Sequence, residues 1–145
     1  MKIVLIRHGK PVSADNPILS ACQYAHWIRR YNASKVAQNS RPQSVNDDYK
    51  YFYTLSSDLK RAIHSTNIYL GKPPEEIDKL YREMEIPRYK FPFKLTAWNW
   101  VYFSRLLWMF GYKGPFESFT QAKKRADTAA IKLIEMAQVQ GQLGL

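Results

Sequence analysis

Hydrophobic and polar positions alternate in blocks along this chain, and the spacing within each block predicts an element. Residues 3–6 (Ile-Val-Leu-Ile) form an unbroken, largely β-branched run that predicts a short strand buried on both faces. Residues 10–17 carry Pro11 and Pro17 and read as a loop. From about 18 to 36, Leu19, Cys22, Ala25 and Ile28 recur at helical spacing and predict an amphipathic helix. Residues 38–50 are polar and loop-like, and the aromatic, branched run 51–55 predicts a second strand. Ser56, Ser57 and Asp58 then offer helix caps ahead of Leu59, Ala62, Ile63, Thr66, Tyr69 and Leu70, and Gly71 followed by Pro73 and Pro74 closes that helix. Residues 77–84 fit a strand or a helix equally, and Pro87 and Pro92 predict irregular backbone after them.

The C-terminal third is divided by Gly111 and Gly114-Pro115. Before them, residues 95–112 are mostly apolar and hold three of the four tryptophans. That length approaches a membrane span, but Arg105, Asn99 and Ser104 interrupt it, so a buried helix or a lid over a pocket is favoured, with an interfacial helix as the intermediate reading. After them comes the clearest helix. Phe119, Ala122, Ala126, Ala129, Ala130, Leu133, Ile134 and Ala137 share one face and Lys123, Lys124, Asp127, Lys132 and Glu135 the other, with an end near Gln138. Strand, helix, strand, helix and a final helix predict an α/β fold with a mostly parallel sheet.

Length and composition sharpen this. At 145 residues, 46% of them hydrophobic, the chain predicts a single domain, 1–145, with a substantial core. Its net charge of +10 favours anionic partners without choosing among them. One cysteine, Cys22, excludes an internal disulfide and a cysteine-based zinc site, and its helical neighbours predict a buried thiol in a reducing cytoplasm. Four apolar residues between Lys2 and Arg7 are too few for a signal peptide.

Chemistry concentrates where the first strand ends, at Arg7-His8-Gly9-Lys10. Parallel strands present their C-terminal ends on one side of a sheet, where open α/β folds bind ligands. Arg61, in the first turn of the helix after the second strand, points to the same crevice, and a helix N-terminus adds amides and a dipole that suit an anion. Two guanidiniums can grip phosphoryl oxygens bidentately.

Arg-His-Gly after an N-terminal strand, followed after the second strand by Ser56-Ser57-Asp58-Leu59-Lys60-Arg61-Ala62, resembles the histidine phosphatase superfamily, the phosphoglycerate mutase-like group. Members typically read Ser-Ser-Pro-Leu-x-Arg-Ala with a threonine four residues after the arginine; here Asp58 and Ser65 replace the proline and the threonine. The resemblance implies a three-layer α/β/α fold and phosphomonoester hydrolysis through a phosphohistidine. His8 would be the nucleophile, Arg7 and Arg61 the phosphate clamp, and Glu83, with Glu85 second, the acid that protonates the leaving oxygen. Such an acid is expected to have a raised pKa. The resemblance implies no metal and no cofactor, a phosphorylated small molecule or phosphorylated protein as substrate, and a variable lid at about 88–116. Glu117-Ser118 resembles the usual opening of the last long helix, and with Arg125 it reads as structural.

The chain departs from the family at its tail. Members carry a second pocket histidine at the end of a strand that follows the last helix and lies between the other two motif strands. No histidine follows His64 here, and residues 139–145 present no apolar strand. The expectation is therefore a fold lacking that strand, with two unpaired edges in its core. A shortened version of a longer phosphatase is favoured; direct pairing of the flanking strands, or a strand supplied by another chain in a homodimer, are the alternatives. His64, on the same helix as Arg61, is a weak substitute for the missing histidine.

The rival from another class is a non-catalytic phosphate-binding or interaction module that keeps Arg7, His8 and Arg61 as an anion site. Nucleic-acid binding is weaker, because the cations are scattered and only Lys123-Lys124-Arg125 cluster.

Overall fold

A computed structural model describes residues 1–145 except Gln43 and Val45. The part of the expected 38–50 loop that falls on those two residues lies outside the described residues; the rest includes one short 3₁₀ turn at Asp47–Tyr51.

Among the described residues, six strands and four α-helices follow one another as β1 (Lys2–Val4), β2 (Ile18–Ser20), α1 (Ala21–Ala33), β3 (Tyr53–Ser56), α2 (Lys60–Leu70), β4 (Glu76–Ile77), β5 (Lys94–Thr96), α3 (Ala97–Met109), α4 (Phe119–Gln140) and β6 (Gln142–Gly144). The main sheet is parallel and ordered β1-β6-β3-β4, while β2 and β5 form a separate antiparallel pair. The chain is thus mixed α/β, as the alternation of patterns predicts.

The absence of a strand after the last helix is overturned. β6 lies between β1 and β3, pairing Leu143 with Ile3 on one side and with Tyr53 on the other. Leu143 is completely buried and packs with Leu55, Leu133 and Ala137. Pairing with the β1 segment continues past the strand, with Leu145 N–H donating to Val4 O (2.9 Å) and Ile6 N–H to Leu145 O (2.5 Å). The strand is invisible in the pattern because one apolar side chain suffices for it. Its remaining stability comes from ladders on both edges, which do not depend on residue type. The slot between β1 and β3 is filled by the chain itself, so neither direct pairing of those strands nor a strand from another chain is needed there.

Four further expectations change. The first strand is not buried on both faces: it lies at the sheet edge, and Leu5 just beyond it is 71% exposed. The first helix starts three residues late, behind a Ser20–Gln23 capping box, and buries Tyr24, Trp27, Ile28 and Tyr31. That rotation follows the large aromatic groups, which bury the most area, and it leaves Cys22 exposed rather than buried. Ser56, Ser57 and Asp58 do not cap α2; Leu59 holds the cap position without a side-chain bond, because the Asp58 carboxylate is committed to Arg82. Finally, α4 buries only Ala122, Leu133 and Ala137, so the face is narrower than the pattern, and Phe119 and Ile134 are exposed.

The aromatic segment divides between β5 and α3, and it packs on α1 rather than on the main sheet. Trp100 is fully buried, stacks on Tyr24 at 5.4 Å and donates its indole N–H to Leu19 O. Gly71, at φ 69°, ends α2 in the left-handed conformation that glycine adopts without a Cβ clash.

Candidate active site

His8 leaves the end of β1 in a loop held from two sides. The amide of Gly9 donates to Ser65 Oγ on α2 (2.9 Å), and that of Lys10 to Ser40 Oγ (3.2 Å). Ala37 N–H donates to Lys10 O and Val12 N–H to Lys35 O, so the loop after α1 runs alongside. This crowding explains Gly9: a Cβ there would stand 2.7 Å from Ser40 Oγ and 2.8 Å from Val36 Cγ1.

The imidazole is fixed by three neighbours. Nδ1 lies 2.8 Å from Gly9 O, and since a carbonyl oxygen can only accept, Nδ1 carries a proton. Nε2 meets Glu83 Oε1 at 2.5 Å and receives Arg61 Nε–H at 3.0 Å. Three residues far apart in sequence thus converge on one ring nitrogen.

Arg61 is the buried member, 2% exposed. Its guanidinium lies 4.9 Å from the centre of the Tyr31 ring, donates to Tyr31 O (3.4 Å) and approaches Glu83 Oε1 at 3.7 Å. Arg7 is exposed and enters no hydrogen bond or ion pair among the described residues, but its charge acts on both Glu83 and Tyr31. A guanidinium held rigidly and one left open to solvent make a site that can close on an anion.

Glu83 sits in irregular backbone that no regular element positions. Arg125 on α4 does so instead, donating to the carbonyls of Leu80 (3.1 Å), Arg82 (2.6 Å) and Glu83 (3.4 Å) while its other N–H groups grip both oxygens of Glu117. Asp58 adds a second tie through a bidentate pair with Arg82, with Nη2 to Oδ2 at 2.6 Å. The hydrogen bond to His8, the charge of His8 and then those of Arg61 and Arg7 outweigh desolvation and hold the Glu83 carboxyl down at about 2. The expected raised pKa is therefore reversed, because three cationic groups surround the carboxylate.

Glu85, the second candidate acid, lines the cleft beside Arg61 and Glu83, but it makes no bond to His8 and its carboxylate accepts the amide of Glu117 at 2.9 Å. His64 does not reach the site: its Nδ1 accepts the amide of Val36 and supports the neighbouring loop. A cleft of about 110 Å³ opens beside Arg61 and Glu83, lined further by Ile28, Asn32, Met84 and Arg88.

Sequence reasoning missed Tyr31 and understated Arg125. Nothing in the pattern marks Tyr31, whose part depends on the packing of α1 against α2. For Arg125 a signal existed: a basic residue on the inward side of an otherwise small-residue helix face calls for a partner. Comparison with known proteins returns no matching family model, no matching curated protein and no matching solved structure. The functional reading therefore stands on the residues themselves.

Proposed function

We propose that this chain hydrolyses phosphomonoesters through a phosphohistidine at His8, the chemistry of the histidine phosphatases it resembles. That reading includes the three-layer phosphoglycerate mutase-like architecture, in which a strand between the two motif strands is a defining feature. The observation that carries it is the meeting of His8 Nε2 with Glu83 Oε1 and Arg61 Nε, residues 75 and 53 positions from the histidine.

With Nδ1–H committed to Gly9 O, a contact of 2.5 Å between Nε2 and a carboxylate oxygen requires one proton between them. A phosphate ester entering beside Arg7 and Arg61 adds negative charge next to Glu83 and pulls that proton onto the carboxylate. One transfer then prepares both partners. Nε2 gains a lone pair, which faces phosphorus once Arg61 turns its N–H groups to the phosphoryl oxygens, and Glu83 becomes the acid. The lone pair forms the P–N bond as the P–O bond to the leaving group breaks, and the leaving oxygen takes the Glu83 proton. Water next attacks phosphorus and gives a proton to the Glu83 carboxylate. The P–N bond breaks, its electrons return to Nε2, and inorganic phosphate is released. Arg7 and Arg61 neutralise the phosphoryl oxygens throughout.

The sequence supplies no histidine beyond His64 to donate a further hydrogen bond to the phosphoryl group. Turnover is accordingly expected about 100- to 1,000-fold below that of a pocket with one more such donor. The same fact favours the second reading, in which the site binds a phosphorylated small molecule or protein without turnover.

Hydrolysis of a generic aryl phosphate by the purified chain, beside His8→Ala, separates the two. Turnover lost in the variant, with an acid-labile phosphoprotein trapped only in the wild type, is the expected result. No turnover from a folded protein that still binds inorganic phosphate would establish the binding module instead.

A further inference from the structure

The segment 86–116 contains no Asp or Glu, whereas Arg88, Lys90, Lys94, Arg105 and Lys113 are all cationic. Its helix, α3, is apolar nearly all round, yet only one side is buried: Ala97, Trp100, Val101, Ser104 and Trp108 face the core with α1. The opposite side presents Tyr102, Leu106, Met109 and Phe110 at helical spacing, all exposed, with Phe110 at 75%, and exposed Tyr112 lies just beyond. A helix with apolar residues on both faces has the pattern of one buried on both, and here a face is left open.

Apart from Arg105, the same segment carries its cations on the strap before α3 and just past its end. Tyr89 Oη donates to Tyr112 O at 2.6 Å, and Arg88 Nη2 to Pro115 O at 3.3 Å, tying the strap before β5 to the far end of α3. Phe91 and Phe93 stack on each other and meet Phe103 edge-on along the middle of the helix. Lys90 on that strap, Lys94 in β5 and Lys113 just past α3 are all exposed. None of Arg88, Lys90, Lys94 and Lys113 enters an ion pair among the described residues.

We propose that this face docks on an anionic lipid bilayer, with Leu106, Met109 and Phe110 entering the acyl boundary and the flanking lysines meeting the headgroups. Charge complementarity selects the occupant. Protein interfaces are depleted in lysine, whereas an exposed aromatic face in a segment that carries five cations and no acid matches the interfacial zone of an anionic membrane. At 13 residues α3 is about 20 Å long, too short to cross, and no described helix is long and apolar enough to do so, so the contact is a surface one. The inference is independent of the phosphatase reading.

Cosedimentation of the purified chain with unilamellar vesicles tests it, using phosphatidylcholine alone and phosphatidylcholine with about a third phosphatidylserine. The wild type is expected to pellet with the anionic vesicles, to bind the neutral ones far more weakly, and to be released as salt rises. Replacing Met109 and Phe110 together by serine should weaken partition about tenfold or more. Lys90→Glu with Lys113→Glu should weaken it on anionic vesicles alone. Both pairs are exposed, and circular dichroism checks that each variant is folded. Wild-type protein that stays in the supernatant overturns the proposal. So does loss of binding in the lysine variant with none in the serine variant, since that marks attraction by charge alone. A dimer in light scattering that the serine variant dissolves would assign the face to a second copy of this chain.

Discussion

Glu83 shows how a single side chain can be set by its surroundings. Its folded value of about 2 lies below its ordinary 4.5, so ionised Glu83 favours the folded state at every pH above about 4.5. That contribution fades as pH falls toward 2. Unfolding by urea across this range should show a shallower loss of stability in Glu83→Gln than in the wild type. Arg61 is open to an equally direct test. Arg61→Lys keeps the charge but forfeits the Nε contact with His8 and the guanidinium's place over the Tyr31 ring, so aryl phosphate turnover should fall about 100-fold or more. Gly9→Ala addresses the loop itself. The new methyl meets Ser40 and Val36 below contact distance, and thermal unfolding should report a loss of about 1–3 kcal/mol.

Elements divide into those that make the site and those that hold it. The first turn of α2 delivers Arg61 on regular backbone, and His8 stands in the loop after β1, held by Ser65 and Ser40. Glu83 has no such support and is carried by the clamp from α4. Glu117 and Arg125 stabilise each other's charged forms: the hydrogen bond with Arg125 lowers the carboxyl pKa, and that with Glu117 raises the guanidinium's. Arg125→Met leaves three backbone carbonyls and the Glu117 carboxylate without their donor. It should cost about 1–3 kcal/mol in urea unfolding and, under the proposed function, should lower turnover with little change in the affinity for inorganic phosphate, a role that proposal gives to Arg7 and Arg61. The placement of Asp58 is part of the same device, because its pair with Arg82 anchors the residue next to Glu83.

For the whole molecule the decisive element is β6. It joins β1, with His8, to β3, which leads into Arg61, so the distance between the two halves of the site depends on three residues near the C-terminus. Leu143→Ala removes the one side chain that ties this strand to Leu55, Leu133 and Ala137. About 2–5 kcal/mol should be lost from the urea unfolding free energy, and the spacing of His8 and Arg61 should loosen with it.

The sequence by itself determined what rests on local spacing: an α/β order of elements, α2 ending at Gly71, a long final helix, Arg7 and His8 after the first strand, and Arg61 in the first turn of the helix that follows another. These follow from periodicities and turn chemistry that act within a few residues. The tertiary structure decided the rest. Cys22 is exposed because the aromatic residues of α1, once packed against α3, turned the helix away from its aliphatic phase. α4 buries a narrow stripe because the sheet beneath it is only four short strands wide. Gln142-Leu143-Gly144 is a strand because two open edges stand on either side of it, and Glu83 is held ionised because Arg61 and the adjacent pair Arg7 and His8, all remote from it in sequence, meet around it. In each case the controlling neighbour is remote in sequence, and burial and charge act through space.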